Sequence, residues 1–285
     1  MSEILNIDTF ADFHDLVAAR RDFCASGHPL VDFVFRGQAN SDWPLETTFS
    51  RLLHRAGYRP KLRENSFENR AMHMENFKHF LLGRRGANPA ALSVESAWAL
   101  GQHYGLATPL LDWTTSPYIA LFFAYSGADS NGPKRSVWCL NREATTNFDR
   151  DLLKHKILKL NEYEKYNVRY YDGTERDKRR IDRILGAVLK GGHINFLVPE
   201  NDENSRIISQ SGVLSMLPNE KSIDSWADRL HPESLIKVDL PNTLEFRDKI
   251  LTQLNLMNIN YATLFPDIGG VALHSNFLAE FKFGQ

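Results

Sequence analysis

The segment Tyr118 to Tyr125 constrains this chain more than any other, because it holds no charged side chain and its apolar residues fall on every side of a helical wheel. Ser116-Pro117 stands directly ahead of it. A serine followed by proline marks a helix start: the hydroxyl accepts from an orphan amide of the first turn, and proline has helical φ with no amide to satisfy. A short helix that is apolar all round is stable only when packed on all sides. The fold must therefore place other elements around it.

Those elements are legible as a succession of periods. Phe10, Phe13, Leu16, Val17 and Phe23 predict a helix over 10–26, with Asp8 or Thr9 as its cap. Leu30 to Phe35 is a compact apolar and β-branched run closing at Gly37, as a buried strand would, with Arg36 at its mouth. Asn40-Ser41-Asp42-Trp43-Pro44 is turn chemistry, and residues 47–53 resume an extended or helical piece. Helices are expected over 64–82 and 94–104, the second stopped by Gly105 and Thr108-Pro109. Leu110 to Thr114 reads as extended and Val137 to Leu140 as a strand, while 194–199, 206–211, 213–217 and 235–238 are short β-type runs of one sheet. Residues 241–256 return to helix, and Leu264-Phe265-Pro266-Asp267 turns into a short terminal helix.

Strands interleaved with helices, with no internal repeat or low-complexity linker, predict an α+β fold in one domain over 1–285, its central sheet flanked by helices. The expected plan is an N-terminal helix within 1–28, a core from 29–140 and 193–285, and a charged, tyrosine-rich helical insertion or lid over 141–192. At 285 residues such a chain buries a core without staples. Cys24 and Cys139 form no C-x-x-C pair and read as free thiols in a reducing compartment, so a structural zinc is not expected. The first ten residues have the wrong charge order for a leader, and no apolar run is long enough for a membrane helix. The expectation is a cytoplasmic protein with no membrane partner.

A formal net charge of −1 selects no partner by itself. The cluster Lys178-Arg179-Arg180 with Arg183 is interleaved with Glu175, Asp177 and Asp182, which reads as a solvated helix face rather than a nucleic-acid patch. G-x-S-x-G, a Walker loop and H-E-x-x-H are all missing, which removes the minimal parts of the corresponding hydrolases, NTPases and zinc proteases. His73 and His79 share no ligand spacing with a nearby acid, so no metal is assigned.

The residues that remain suit a nucleotide. Arg36 offers a planar fork of donors that stays charged and matches phosphate, and an arginine between a buried strand and a glycine is expensive unless used. Gly37 and Gly105 permit close backbone approach. Thr114, Thr115 and Ser116 place hydroxyls at a helix start, where free amides favour an anion or a ribose hydroxyl. His103, Tyr104 and Trp113 offer flat surfaces for a base, with Asp112 beside them to orient His103 or to bond the loop. Each has a second reading: Asp112 as a turn cap, Trp113 as core, His103 as a structural histidine.

Three blocks resemble the FRG domain family. They are Phe35-Arg36-Gly37-Gln38 followed by Trp43-Pro44-Leu45 and Arg51; Gln102 through Thr114; and Ser116-Pro117 with Ala120-Leu121-Phe122-Phe123-Ala124. Arg206-Ile207, Gln210-Ser211-Gly212-Val213 and Leu264-Phe265-Pro266-Asp267 extend the likeness downstream. A weaker, fold-level resemblance is to the ADP-ribosyltransferase superfamily, carried by Phe35-Arg36-Gly37 and by Thr114-Thr115-Ser116 with Ala120 and Phe123 behind them. It implies a mixed or antiparallel central sheet and NAD as substrate, held by Arg36, Gly37, Gln38 and the hydroxyl segment.

In that superfamily a glutamate on a late strand grips the ribose, and the residue compared with it here is Gln210. Glutamine supplies no negative charge, so Glu46, Glu64, Glu68 and Glu75 are alternative acids. The resemblance implies an ADP-ribosyltransferase or NAD glycohydrolase, with Arg36, Ser116 and Gln210 in catalytic positions, acting as a bacterial toxin or phage-defence effector. A protein or nucleic-acid acceptor and an antitoxin-like partner would follow. The alternatives are a non-enzymatic nucleotide- or nucleic-acid-binding module and a partner-binding regulator.

Overall fold

The computed structural model describes residues 3–19, 33–57, 66–86, 91–127, 131–142, 194–197, 205–216, 222–227 and 234–283. The strands are β1 (Glu3–Asn6), β2 (Phe33–Gln38), β3 (Leu110–Thr114), β4 (Lys134–Asn141), β5 (Asn195–Leu197), β6 (Gly212–Met216) and β7 (Leu235–Pro241). The helices are α1 (Phe10–Ala19), α2 (Thr48–Arg55), α3 (Ser66–Leu81), α4 (Val94–His103), α5 (Pro117–Ser126), α6 (Ser205–Ser209), α7 (Ile223–Ala227), α8 (Leu244–Leu256), α9 (Tyr261–Leu264) and α10 (Ile268–Phe283). One sheet of order β1-β7-β4-β2-β3-β6-β5 collects the seven strands. Its β1–β7 pair is parallel and the others are antiparallel, which makes it mixed.

Helix α5 is the keystone that its composition requires. Ser116 is its N-cap, accepting from the Ile119 amide, and Pro117 is its first residue. Ile119, Ala120, Leu121, Phe122, Ala124 and Tyr125 are all buried. They pack on one sheet face against Phe33 and Phe35 of β2, Val137 and Cys139 of β4, Phe13 of α1, and Ile250, Leu251 and Leu254 of α8. Each large side chain removed from water contributes roughly 1.5–3 kcal/mol, so this helix is held by burial rather than by propensity.

Gly37 shows how close the contact is: a Cβ there would lie 2.0 Å from the Ala120 carbonyl oxygen and 2.5 Å from the Ala124 amide nitrogen. The far end of α5 is closed by Arg135, itself 1% exposed, whose Nη1 donates to the Ala124 carbonyl at 2.7 Å. A cation among the last carbonyls of a helix answers both its unpaired acceptors and its dipole.

The opposite sheet face carries Val34, Leu111, Trp113, Trp138, Leu140 and Leu235, covered by Leu45 and by Ile223 and Ala227 of α7. A third cluster seats Trp98 and Ala97 of α4 and Met74 of α3 against Leu110 and Leu214. Strands β2, β3 and β4 are thus buried on both faces, which is why their sequences read as apolar runs rather than alternations.

Several expectations are corrected. Arg36 lies inside β2, which continues to Gln38, because the β4 partner extends to Ser136 and pairs Gly37 and Gln38 as well. Residues 206–211 do not form a strand: Ser205–Ser209 is one helical turn, and Ser211, at φ 49°, turns the chain into β6. The terminal helix is long, sixteen residues, rather than short. Strand β1 was not foreseen; four residues docking beside β7 leave too short a pattern to register. Asn141, expected to open the 141–192 insertion, instead ends β4; residues 143–192 of that insertion, with the Lys178 cluster, and also Cys24 and the end of the first helix lie outside the described residues. No described helix is long and apolar enough to cross a membrane.

Candidate functional site

Strands β2 and β3 touch at a single bridge, Phe35 with Thr114, while each pairs fully with its other neighbour. Arg36 crosses that interval, its Nη1 donating to the Asp112 carbonyl oxygen at 2.8 Å. This is its one hydrogen bond among the described residues; its Nε is buried without a partner, and no described carboxylate forms an ion pair with it. Burial pushes the guanidinium below its usual pKa; the Asp112 charge opposes that effect and Arg51 adds to it. A guanidinium stays protonated in proteins, so Arg36 is a cation with unused donors.

The guanidinium lines a cleft of about 750 Å³. Helix α2, capped by Thr47, presents Arg51, His54 and Arg55 to the same space, and Gln102 and Asp112 complete its polar wall. Arg51 and Arg55, one helical turn apart, are exposed and form no ion pair among the described residues, whereas His54 lies 3.9 Å from Glu46. Asp112 is the one carboxylate among the described residues lining the cleft. Gly105 also lines it, and its φ of 85° ends α4 in a left-handed turn that favours glycine.

Gln102 and Asp112 face a second, smaller cleft of about 180 Å³ as well, with His103, Arg206, Gln210 and Phe265. Gln102 holds Asp112 in place, its Nε2 donating to Oδ1 at 2.5 Å while its Oε1 accepts from the buried Thr108 hydroxyl. The partition between the clefts is therefore a tethered carboxylate.

The remaining sequence candidates line neither cleft. Gln38 is buried between Trp138, whose Nε1 donates to its Oε1 at 2.7 Å, and the Pro44 carbonyl. Trp113 is 3% exposed and donates to the Ser215 hydroxyl. The Thr114 hydroxyl donates to the Gln210 carbonyl and accepts from the Ser116 amide, the Thr115 amide donates to the Ser211 carbonyl, and Ser116 caps α5. Gly37 faces α5, and Tyr104, 76% exposed, stands against His103 at 4.9 Å. The segments named from sequence are adjacent, but the guanidinium shares its cleft with arginines of α2 rather than with the hydroxyls after β3. The Arg51/Arg55 pair was overlooked, although its i, i+4 spacing behind a threonine cap was readable.

Of the alternative acids, Glu46 sits against His54, Glu75 is exposed outside both clefts, Glu68 offers no described side chain and Glu64 lies outside the described residues. Among the described residues no cluster of histidine, cysteine and carboxylate groups could hold a metal.

Residues 31–132 match the family model for the FRG domain, a span that includes β2, α2, α4, β3 and α5 and every arginine of the large cleft. No curated protein matches the chain. No solved structure matches it either.

Proposed function

We propose, from the premise that this chain carries an FRG domain, that its arginine-walled cleft binds the diphosphate of a dinucleotide and that the protein acts on NAD. The reaction is ADP-ribosyl transfer or NAD hydrolysis. The observation that carries this reading is the convergence of Arg36, Arg51 and Arg55 on one cleft that also exposes a carboxylate. A diphosphate supplies the negative charge those cations lack, and the buried, unpartnered Nε of Arg36 is a donor awaiting an acceptor.

The chemistry follows from charge. As the bond between the ribose C1′ and nicotinamide breaks, the ring leaves neutral with the electron pair and the sugar becomes an oxocarbenium ion. Asp112 offers the negative charge that stabilises such a cation, which Gln210 does not. A water or acceptor hydroxyl then adds to C1′ and gives its proton to Asp112 or solvent.

Incubation with NAD tests the proposal. The wild type should release nicotinamide, and Arg36→Ala should lower release at least tenfold, since a hydrogen bond to a charged group contributes about 1.5–3 kcal/mol. Absence of release from the wild type, or undiminished release from the variant, rejects it.

One observation favours a second reading, a non-enzymatic module for nucleotides or nucleic acid: Arg51 and Arg55 are exposed and have no ion-pair partner among the described residues, as phosphate-tracking side chains do. Affinity would then fall steeply with salt and no product would form.

A further inference from the structure

Helix α3 runs past the core that holds it. Met74, 5% exposed, and Phe77 pack in the cluster of Trp98 and Leu110, yet Phe80, one turn further on, is 69% exposed and Leu82 beyond it 75%. The turn that follows stands clear of the fold: Gly83 and Gly86 have φ of 72° and 86°, and a Cβ built on either would meet nothing within 4 Å. It is ordered by its own bonds. The Arg84 amide donates to the Leu81 carbonyl at 3.1 Å and the Arg84 Nε to the Phe80 carbonyl at 2.8 Å, while the His79 ring meets Phe80 edge-on at 5.2 Å.

Charge on this tip has one sign. Lys78, Arg84 and Arg85 lie in a stretch that holds no acidic residue between Glu75 and Glu95, and Lys78 and Arg84 form no ion pair among the described residues. A projecting turn offers far less area than the ~800 Å² per partner of a stable protein interface. Its most exposed apolar side chain is a leucine, on which a nucleic-acid base does not stack. Two apolar side chains at an outward point, with cations beside them, match a layer of anionic headgroups over hydrocarbon.

We propose that the tip of α3 is a peripheral docking site for an anionic lipid surface, with Phe80 and Leu82 entering the acyl boundary and Lys78 and Arg84 on the headgroup phosphates. Such a contact is reversible and requires no spanning segment; the expectation of no membrane partner came from the lack of a long apolar run, which does not bear on a surface contact. The underside of the helix stays packed through Met74 and Phe77, so docking leaves the fold unchanged. The inference is independent of the dinucleotide reading above.

Co-sedimentation of the full chain with phosphatidylcholine vesicles, with and without phosphatidylserine, tests the proposal. The chain should pellet with the mixed vesicles alone, and raised salt should weaken the binding. Leu82→Ser should lower it about tenfold or more, and Lys78→Ala about fivefold. Both side chains are exposed, so neither change should move Tm. Leu82→Trp should keep the binding, and its emission, as a difference from the wild type, should shift to the blue when mixed vesicles are added. Equal pelleting with both vesicle types, pelleting with neither, binding unmoved by Leu82→Ser, or an unshifted Leu82→Trp emission overturns the proposal. Capture of a single-stranded oligonucleotide that Lys78→Ala abolishes, without vesicle binding, overturns it in favour of nucleic acid.

Discussion

Gly37→Ala tests whether the glycine of the Phe-Arg-Gly-Gln segment serves packing or a ligand. The added methyl would lie 2.0 Å from the Ala120 oxygen, 2.5 Å from the Ala124 nitrogen and 3.0 Å from the Ala120 carbonyl carbon. All three are backbone atoms of α5, so no rotamer change relieves the contact. Either β2 and the helix separate or the strand bends out of register with β4, which pairs at Gly37 with Val137.

Overpacking a core typically costs about 1–3 kcal/mol, and a backbone-against-backbone clash belongs at or above the upper end. At roughly 2–4 °C per kcal/mol for a chain near this size, about 3 kcal/mol lowers Tm by about 6–12 °C. Differential scanning calorimetry with and without pyrophosphate provides the assay. An unchanged Tm combined with lost pyrophosphate affinity would refute the packing argument and return Gly37 to the ligand site.

Trp138→Phe strands the Gln38 Oε1 inside the sheet face and should cost at least 1–3 kcal/mol in urea unfolding, from the lost bond alone. Ser116→Ala removes the cap of α5 and should lower stability by about 1 kcal/mol in the same assay. Burial holds the Tyr125 hydroxyl far above its ordinary pKa of 10.0, with Arg135 opposing; the folded state therefore keeps the proton that the unfolded state gives up. Its stabilising contribution is complete below pH 10.0 and is lost as pH rises further, so urea midpoints should decline above that pH, less steeply in Tyr125→Phe. A variant slope equal to the wild type would show that another group governs the alkaline loss.

Local chemistry determined the parts that were legible beforehand. Ser116-Pro117 and the uncharged run behind it fixed the start and burial of α5, because a cap and an all-round shortage of polar groups act within a turn or two. The β3 span, the two helices before it and the strand around Trp138 followed from the same short-range patterns. Arg36 could be singled out because a guanidinium in an apolar strand is costly wherever the strand lies. Residues 206–211 misled for the same reason in reverse: a short β-branched run forms one helical turn, Ser205–Ser209, whose following residue, Gln210, bonds to Thr114 and Leu264.

What only the tertiary structure decided was which groups meet. The i, i+4 arginines of α2 lie near Arg36 in the fold, not in sequence, and the Gln102–Asp112 tether spans a helix and a strand joined by a left-handed glycine turn. Trp113, Gln38 and Thr114 read as ligand groups in a linear string, yet each found a partner on a neighbouring strand or loop. A polar side chain's use depends on the nearest unsatisfied atom in space, and sheet order, which the chain sets only when strands far apart in sequence pair, chooses that atom.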